Sequence, residues 1–117
     1  MSPAIFIDGL CKTYPRSWKT RALEAVSGLS LTIGQGEVFG FIGPNGAGKS
    51  TTIKVLTGVL QPSKGCAQLF GNDVSLPEAR RGLGYVPENP SLYDYLTPLE
   101  ILTMGVTIHG VKLPNVR

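Results

Sequence analysis

An α/β fold built on a parallel core sheet is predicted by three consecutive segments of this chain. The apolar run 38–42 has the composition of a strand buried on both faces, as parallel strands usually are. A glycine-rich loop, 43–50, follows it directly. The next segment, 49–57, can wind as a helix. A strand, a loop and a helix in this order predict an α/β unit with the loop at the carboxyl end of the strand.

The composition favours one globular domain. The chain has 117 residues, 42% of them apolar and 16% charged. Its net charge of +3 is scattered, and the densest basic patch, Arg16, Lys19 and Arg21, is too thin to form a nucleic-acid footprint. We therefore expect no nucleic-acid partner.

The cysteines and the apolar runs indicate the redox state of the compartment and whether the chain could cross a membrane. Cys11 and Cys66 have neither C-x-x-C spacing nor an accompanying signal peptide, which favours a reducing compartment over a disulfide framework or a zinc site. No apolar run approaches the roughly 18 residues expected of a membrane span. Any membrane association is therefore expected to come through a partner.

The remaining elements follow from local patterns. Partial alternation predicts a strand over 4–10 that the segment 12–15 ends, and a second strand over 29–33. Turn residues at 34–37 then lead into the run 38–42. Gly58 is placed to stop the first helix, and a further strand is predicted over 66–70.

The last predicted helix has a complete start signal. Thr97 is the expected N-cap, Pro98 takes the first helical position, and Glu100 completes a capping box. Its apolar positions, including Leu99 and Leu102, recur at helical spacing and are most simply core. His109 is expected on the surface near the end of this helix.

The loop carries the chemistry. It fits G-x-x-x-x-G-K-[ST], in which backbone N–H groups cradle phosphates. We expect Lys49 to lie between the β- and γ-phosphates, Ser50 to offer its hydroxyl to Mg²⁺, and Thr51 to reach the α-phosphate. The alternative is a glycine-rich turn before an ordinary helix. The predicted nucleotide-binding residues here are Gly43, Pro44, Asn45, Gly46, Ala47, Gly48, Lys49, Ser50, Thr51 and Thr52.

The spelling of residues 43–51, GPNGAGKST, closely resembles the Walker A motif of ATP-binding cassette (ABC) ATPases, and the resemblance covers nearly the whole chain. It implies the P-loop NTPase fold, with an antiparallel β-subdomain that contains the strand 66–70 beside the parallel core. It also implies ATP and Mg²⁺ as ligands. GTP is less favoured, because the chain has no Asn-Lys-x-Asp element.

Tyr14 matches the family position at which an aromatic residue stacks on adenine. A tyrosine just beyond a strand end can stack on any base, because every base presents a π-face. The alternatives are that Tyr14 packs on the sheet edge, or that Trp18 takes the stacking role.

Glu88 occupies the place of the family's Q-loop glutamine, within a segment, 84–88, that leaves a core strand. The resemblance implies a role in positioning water or binding Mg²⁺, and a carboxylate can supply a metal ligand. The alternative is a solvent-exposed loop glutamate. The sequence Pro87-Glu88, followed by Leu92-Tyr93, resembles that of ABC ATPases that work with export-type membrane partners.

Several family motifs do not occur in this sequence, namely the acidic strand end (Walker B), the signature motif and the later histidine (H-loop). Residues 1–117 are therefore expected to form a partial, incomplete nucleotide-binding domain, the N-terminal half. We expect it to bind ATP without turnover, to expose apolar surface and to be marginally stable. We assign it no catalytic residue, and Glu88 is a candidate only for positioning water or Mg²⁺.

The resemblance implies the ATP-binding subunit of a transporter, and the residues Pro87-Glu88 and Leu92-Tyr93 favour an exporter. Its partners would be a transmembrane permease and a second ATPase subunit, at the inner, cytoplasmic face of the membrane. The alternatives are an ABC ATPase of translation or DNA repair, and an interaction module that grips nucleotide.

Overall fold

The computed structural model describes residues 1–15, 18, 21–44, 46 and 48–110. The chain divides into two compact units, Met1–Leu83 and Gly84–Arg117. Each is described by itself.

The first unit is built on a four-stranded sheet of order β2-β1-β3-β4. Its strands are β1 (Ile5–Tyr14), β2 (Leu23–Ile33), β3 (Lys64–Leu69) and β4 (Asn72–Asp73). Helix α1 (Lys49–Leu56) packs on the sheet, and a 3₁₀ helix (Pro77–Arg80) follows β4. Every strand pairing in the described part of the chain is antiparallel.

The core of this unit lies between the sheet, α1 and the 3₁₀ helix. Ile7 and Leu10 of β1 and Val55 of α1 are at most 1% exposed. Burial of such side chains contributes roughly 1.5–3 kcal/mol each to stability. The other buried apolar residues are Val26, Ala67, Leu69, Val74 and Ala79.

Strands β1 and β2 extend well beyond their predicted bounds because bulges interrupt their alternation without ending their pairing. Gly9 and Gly28 have φ of +59° and +65° beside two of these irregularities. The Cys11 side chain contacts both, since its Sγ accepts from the Gly28 N–H at 3.2 Å and donates to the Gly9 carbonyl at 3.6 Å. The prediction that residues 12–15 end the first strand was therefore wrong: pairing continues to Tyr14, which lies opposite Leu23.

The predicted parallel strand over 38–42 is not formed. This segment has no regular secondary structure, and Val38 and Ile42 are 105% and 94% exposed. A parallel strand needs a neighbouring strand to satisfy its backbone, and no strand among the described residues runs beside this one. The predicted parallel core is thus absent from the described sheet, whereas the antiparallel part is present. Residues 84–88, the segment expected to leave a core strand, also form neither helix nor strand.

Both predicted helices are confirmed. Helix α1 ends at Leu56, and Gly58, with φ +79°, follows as a left-handed stop. In the second unit, α2 (Pro98–Ile108) begins with the predicted capping box between Thr97 and Glu100. No helix in the described ranges is long and apolar enough to cross a membrane.

Candidate functional site

The junction between the loop and α1 is fixed by Gly48 and Thr52. Gly48 is the N-cap residue of α1, with φ 92° and ψ 7°. Its carbonyl accepts hydrogen bonds from the Thr52 N–H at 2.9 Å and from the Thr52 hydroxyl at 2.8 Å. The Thr52 side chain is only 2% exposed. Thr52 was predicted to bind nucleotide, and its hydroxyl is instead engaged in holding the loop on the helix.

Gly48 also brings the loop against β2. A Cβ at this position would lie 2.5 Å from the Ala25 carbonyl oxygen and 3.1 Å from Val26 Cγ2. Backbone atoms cannot yield to such an approach as the end of a flexible side chain can. The third glycine of the motif is therefore required both by its left-handed conformation and by its contact with β2.

Positive charge is concentrated at the start of α1. The Lys49 ammonium donates to the Gly43 carbonyl, so the side chain spans the loop from its last residues to its first. The first N–H groups of any α-helix lack intrahelical acceptors, and the helix dipole places roughly half a positive charge there. Lys49, Ser50 and Thr51 form this first turn. The arrangement has the charge and the donors that bind a phosphate group.

A cleft of ≈ 420 Å³ joins this turn to the end of β1. The loop and the first turn of α1 form one end of the cleft, whose charge and donors suit a phosphate group, and Tyr14 forms the aromatic end. The Tyr14 hydroxyl lies 3.4 Å from Thr51 Oγ1, which links the two ends. The cleft is lined by Tyr14, Leu23, Glu24, Ala25, Gly46, Gly48, Lys49, Ser50 and Thr51.

Most of the predicted nucleotide-binding residues that the structure describes meet in this cleft. They are Tyr14, Gly46, Gly48, Lys49, Ser50 and Thr51. Gly43 and Pro44 are described but do not line it, and Asn45 and Ala47 lie outside the described residues. Trp18, considered for the stacking role, is 89% exposed and is not among the described residues that line the cleft.

The two predicted metal ligands lie in different units. Ser50 lines the cleft at the first turn of α1, and Glu88 is an exposed residue of the second unit. Within the described ranges, no cluster of three or more His, Cys, Asp or Glu could hold a metal ion. The donor set fits a hard cation such as Mg²⁺, which takes one protein oxygen together with phosphate oxygens and water.

Three cleft residues were not predicted from sequence, namely Leu23, Glu24 and Ala25. The second strand was expected to begin only at residue 29, so these positions had no assigned element. Ala25 contributes its backbone carbonyl beside Gly48, for which the side chain gives no signal. The pairing of Leu23 with Tyr14 could have indicated their place, but it depends on bulges that alternation does not reveal.

Comparison with known proteins identifies the family. The family model described as ABC transporter matches residues 26–112. An uncharacterized ABC transporter ATP-binding protein of Nostoc sp. is 44% identical over 94 residues, which cover 80% of this chain and 28% of that protein. The chain thus spans less than a third of the length of this relative.

Solved structures agree on the fold. The structure of an ATP binding subunit of an ABC transporter superposes with a TM-score of 0.77 at 29% identity, covering 93% of this chain and 44% of that one. A dimeric ATP-binding cassette bound to ADP and Pi superposes with a TM-score of 0.78 at 23% identity, covering 95% of this chain and 50% of that one, which shows the fold alone. With the motif, the cleft and the matched family model, these findings show that the chain belongs to the ABC transporter ATP-binding family and has its P-loop NTPase fold.

Proposed function

We propose that this chain binds Mg·ATP in the cleft between Tyr14 and the first turn of α1, as the nucleotide-binding part of an ABC transporter ATP-binding subunit. One observation carries the proposal. A tyrosine ring and a phosphate-binding loop, far apart in sequence, line the same cleft. This is the pairing that a nucleoside triphosphate requires, since its base needs an aromatic face and its phosphates need donors and positive charge.

The residues divide between the parts of the nucleotide. Tyr14 would stack on adenine, the N–H groups of the α1 first turn and Lys49 would bind the phosphates, and Thr51 would contact the α-phosphate. Mg²⁺, when bound, neutralises charge on the β- and γ-phosphates. Ser50 would hold it from the cleft. For Glu88 we keep the role of metal ligand or water-positioning residue as a proposal that rests on its match to the family position alone.

We propose that these 117 residues bind ATP without hydrolysing it. Hydrolysis by this fold needs a general base and a second acidic residue for the metal. The sequence has no apolar strand that ends in Asp-Glu, and we assign the role of general base to no residue.

Transport would be a property of the complete protein, because this chain spans 28% of its Nostoc relative. We propose a transmembrane permease and a second ATPase subunit as partners, at the cytoplasmic face of the membrane. The sequence Pro87-Glu88 followed by Leu92-Tyr93 favours export as the direction of transport.

Equilibrium dialysis with labelled ATP and Mg²⁺, combined with a phosphate-release assay, tests the proposal. We expect saturable uptake and no phosphate release. Lys49→Ala should weaken uptake at least about tenfold, because it removes a charge-assisted contact to phosphate. Lys54→Ala is the matched control, because Lys54 is exposed on the same helix and does not line the cleft. Phosphate release that Lys49→Ala abolishes would refute binding without turnover, and equal effects of the two variants would refute the site.

A further inference from the structure

Lys12 makes two contacts through its ammonium group. The Nζ donates to the Gln61 carbonyl at 2.8 Å, and it lies 5.6 Å from the centroid of the Tyr14 ring. Residues 12 and 14 are two apart on β1, and side chains at that spacing share a face of a strand. A cation within about 6 Å of an aromatic centroid is attracted to the ring face. The hydrogen bond to Gln61 therefore holds the cation within the range of this attraction.

The backbone around Lys12 is tied to the same loop. The Ser63 N–H donates to the Cys11 carbonyl at 2.8 Å, and the Thr13 N–H donates to Ser63 Oγ at 3.0 Å. With the Lys12 contact, the segment 61–63 holds the last residues of β1 at three points. This segment follows α1, whose first turn meets the Tyr14 hydroxyl through Thr51. The first turn of α1 and the loop 61–63 that follows the helix thus both contact the end of β1 that carries Tyr14.

Lys12 and Tyr14 differ in whether they line the proposed nucleotide cleft. Tyr14 lines the nucleotide cleft, and Lys12 is not among the described residues that do so. An effect of Lys12 on the base would therefore pass through the Tyr14 ring.

We propose that Lys12 is a positioning residue that holds the Tyr14 ring for stacking on the base. This inference rests on the proposed nucleotide site and deepens it. Loss of the Lys12 ammonium frees the ring to adopt other rotamers, so that a base must order it on binding. The phosphate-binding end does not depend on this restraint.

The experiment measures binding of Mg·ATP and of Mg·tripolyphosphate to the 117-residue chain at physiological salt, which screens long-range charge effects. Lys12→Met keeps most of the stem and removes the cation, and Lys12→Arg keeps a cation and a donor. Lys64→Met is the charge control, because Lys64 is exposed and pairs with Cys11 across the sheet. We expect Lys12→Met to weaken Mg·ATP binding about three- to fivefold, the scale of one exposed cation–π contact. Tripolyphosphate binding should stay within about twofold. Lys12→Arg should bind both ligands nearly as the unaltered chain does, because a guanidinium is also attracted to a ring face. Lys64→Met should do so as well, because it leaves the contact between Lys12 and Tyr14 intact.

A double-mutant cycle separates positioning from general support of the fold. In a Tyr14→Ala background, Lys12→Met should have no further effect on Mg·ATP binding, because the ring through which it acts is gone. An undiminished effect in that background, an equal loss for both ligands, or unchanged Mg·ATP binding would each overturn the inference. If the unaltered chain, folded by circular dichroism, took up neither ligand, the nucleotide site itself would be refuted, and this inference with it.

Discussion

The Tyr14 hydroxyl lies 3.4 Å from Thr51 Oγ1, which connects the end of β1 to the first turn of α1. Tyr14 is the proposed base-stacking residue, and Thr51 belongs to the proposed phosphate-binding turn. The contact places the tyrosine ring close to the turn. A ligand that uses both must therefore match that placement, as the base and phosphates of one nucleotide can.

The Tyr14 ring should supply most of the affinity for the base. We expect Tyr14→Ala to weaken Mg·ATP binding by about 5- to 160-fold, since base stacking contributes roughly 1–3 kcal/mol. Tyr14→Phe keeps the ring and removes the contact with Thr51, so it should lose less than about fivefold. Competition binding with Mg·ATP measures both values. If Tyr14→Phe were as damaging as Tyr14→Ala, the hydroxyl rather than the ring would dominate.

Glycine can be required in the loop because its φ is positive or because the loop approaches β2 closely, and Gly48 and Gly46 allow these two causes to be measured separately. Both have positive φ, +92° and +87°, but a Cβ on Gly48 would meet the Ala25 carbonyl whereas a Cβ on Gly46 would meet nothing within 4 Å. Each alanine variant should incur about 1–2 kcal/mol of left-handed strain. Gly48→Ala should lose appreciably more, because the loop must also move away from β2. Urea unfolding measures the difference between the two variants in the free energy of unfolding. Equal losses would show that the close approach to Ala25 does not affect stability.

The Thr52 hydroxyl should stabilise the junction of loop and helix. Thr52→Val keeps the shape and leaves the Gly48 carbonyl with one donor fewer, so we expect a loss of about 1 kcal/mol in the free energy of unfolding. Thr52→Ser keeps the hydroxyl and removes a buried methyl group, at a cost of similar size. Nucleotide binding distinguishes them. Only Thr52→Val should weaken nucleotide binding, because only that variant loosens the turn. Weaker binding by Thr52→Ser than by Thr52→Val would contradict the assigned role.

The segment 38–42 should govern the solubility of the chain. Val38 and Ile42 are almost fully exposed, whereas Phe39 and Phe41 line an apolar groove with Ile5 and other residues of the sheet and α1. We expect the double variant Val38→Ser, Ile42→Ser to reduce light scattering without lowering the urea midpoint. Phe41→Ser should lower the midpoint instead. A sharp, cooperative melt of the unaltered chain as a non-aggregating monomer would contradict the predicted marginal stability.

Sequence predicted the elements that depend on local signals. The start of α2 is set by Thr97, Pro98 and Glu100 within one turn, and the stop of α1 by Gly58 alone, so both were correct. The strand over 38–42 depends on a neighbour that its own residues do not specify. Its apolar composition could therefore indicate a buried strand but could not supply the partner.

The candidate site was predictable in its side chains and not in its backbone. The loop motif indicated the turn that is proposed to bind phosphate, and the family resemblance indicated Tyr14, which lines the same cleft. The contribution of β2 was missed, because bulges break the alternation before residue 29 and because Ala25 acts through a carbonyl. Lys12 was missed since its contact with Gln61 joins distant parts of the chain.

The most direct test is a titration of the isotope-labelled chain with Mg·ATP, followed by backbone amide chemical shifts. The account predicts that the amides of Tyr14 and of residues 48–51 shift together and saturate with one dissociation constant. Mg·tripolyphosphate should shift residues 48–51 and leave Tyr14 nearly unchanged. Shifts at Tyr14 and at 48–51 with different dissociation constants, or no shift at 48–51, would contradict the claim that the ring and the turn form a single nucleotide site.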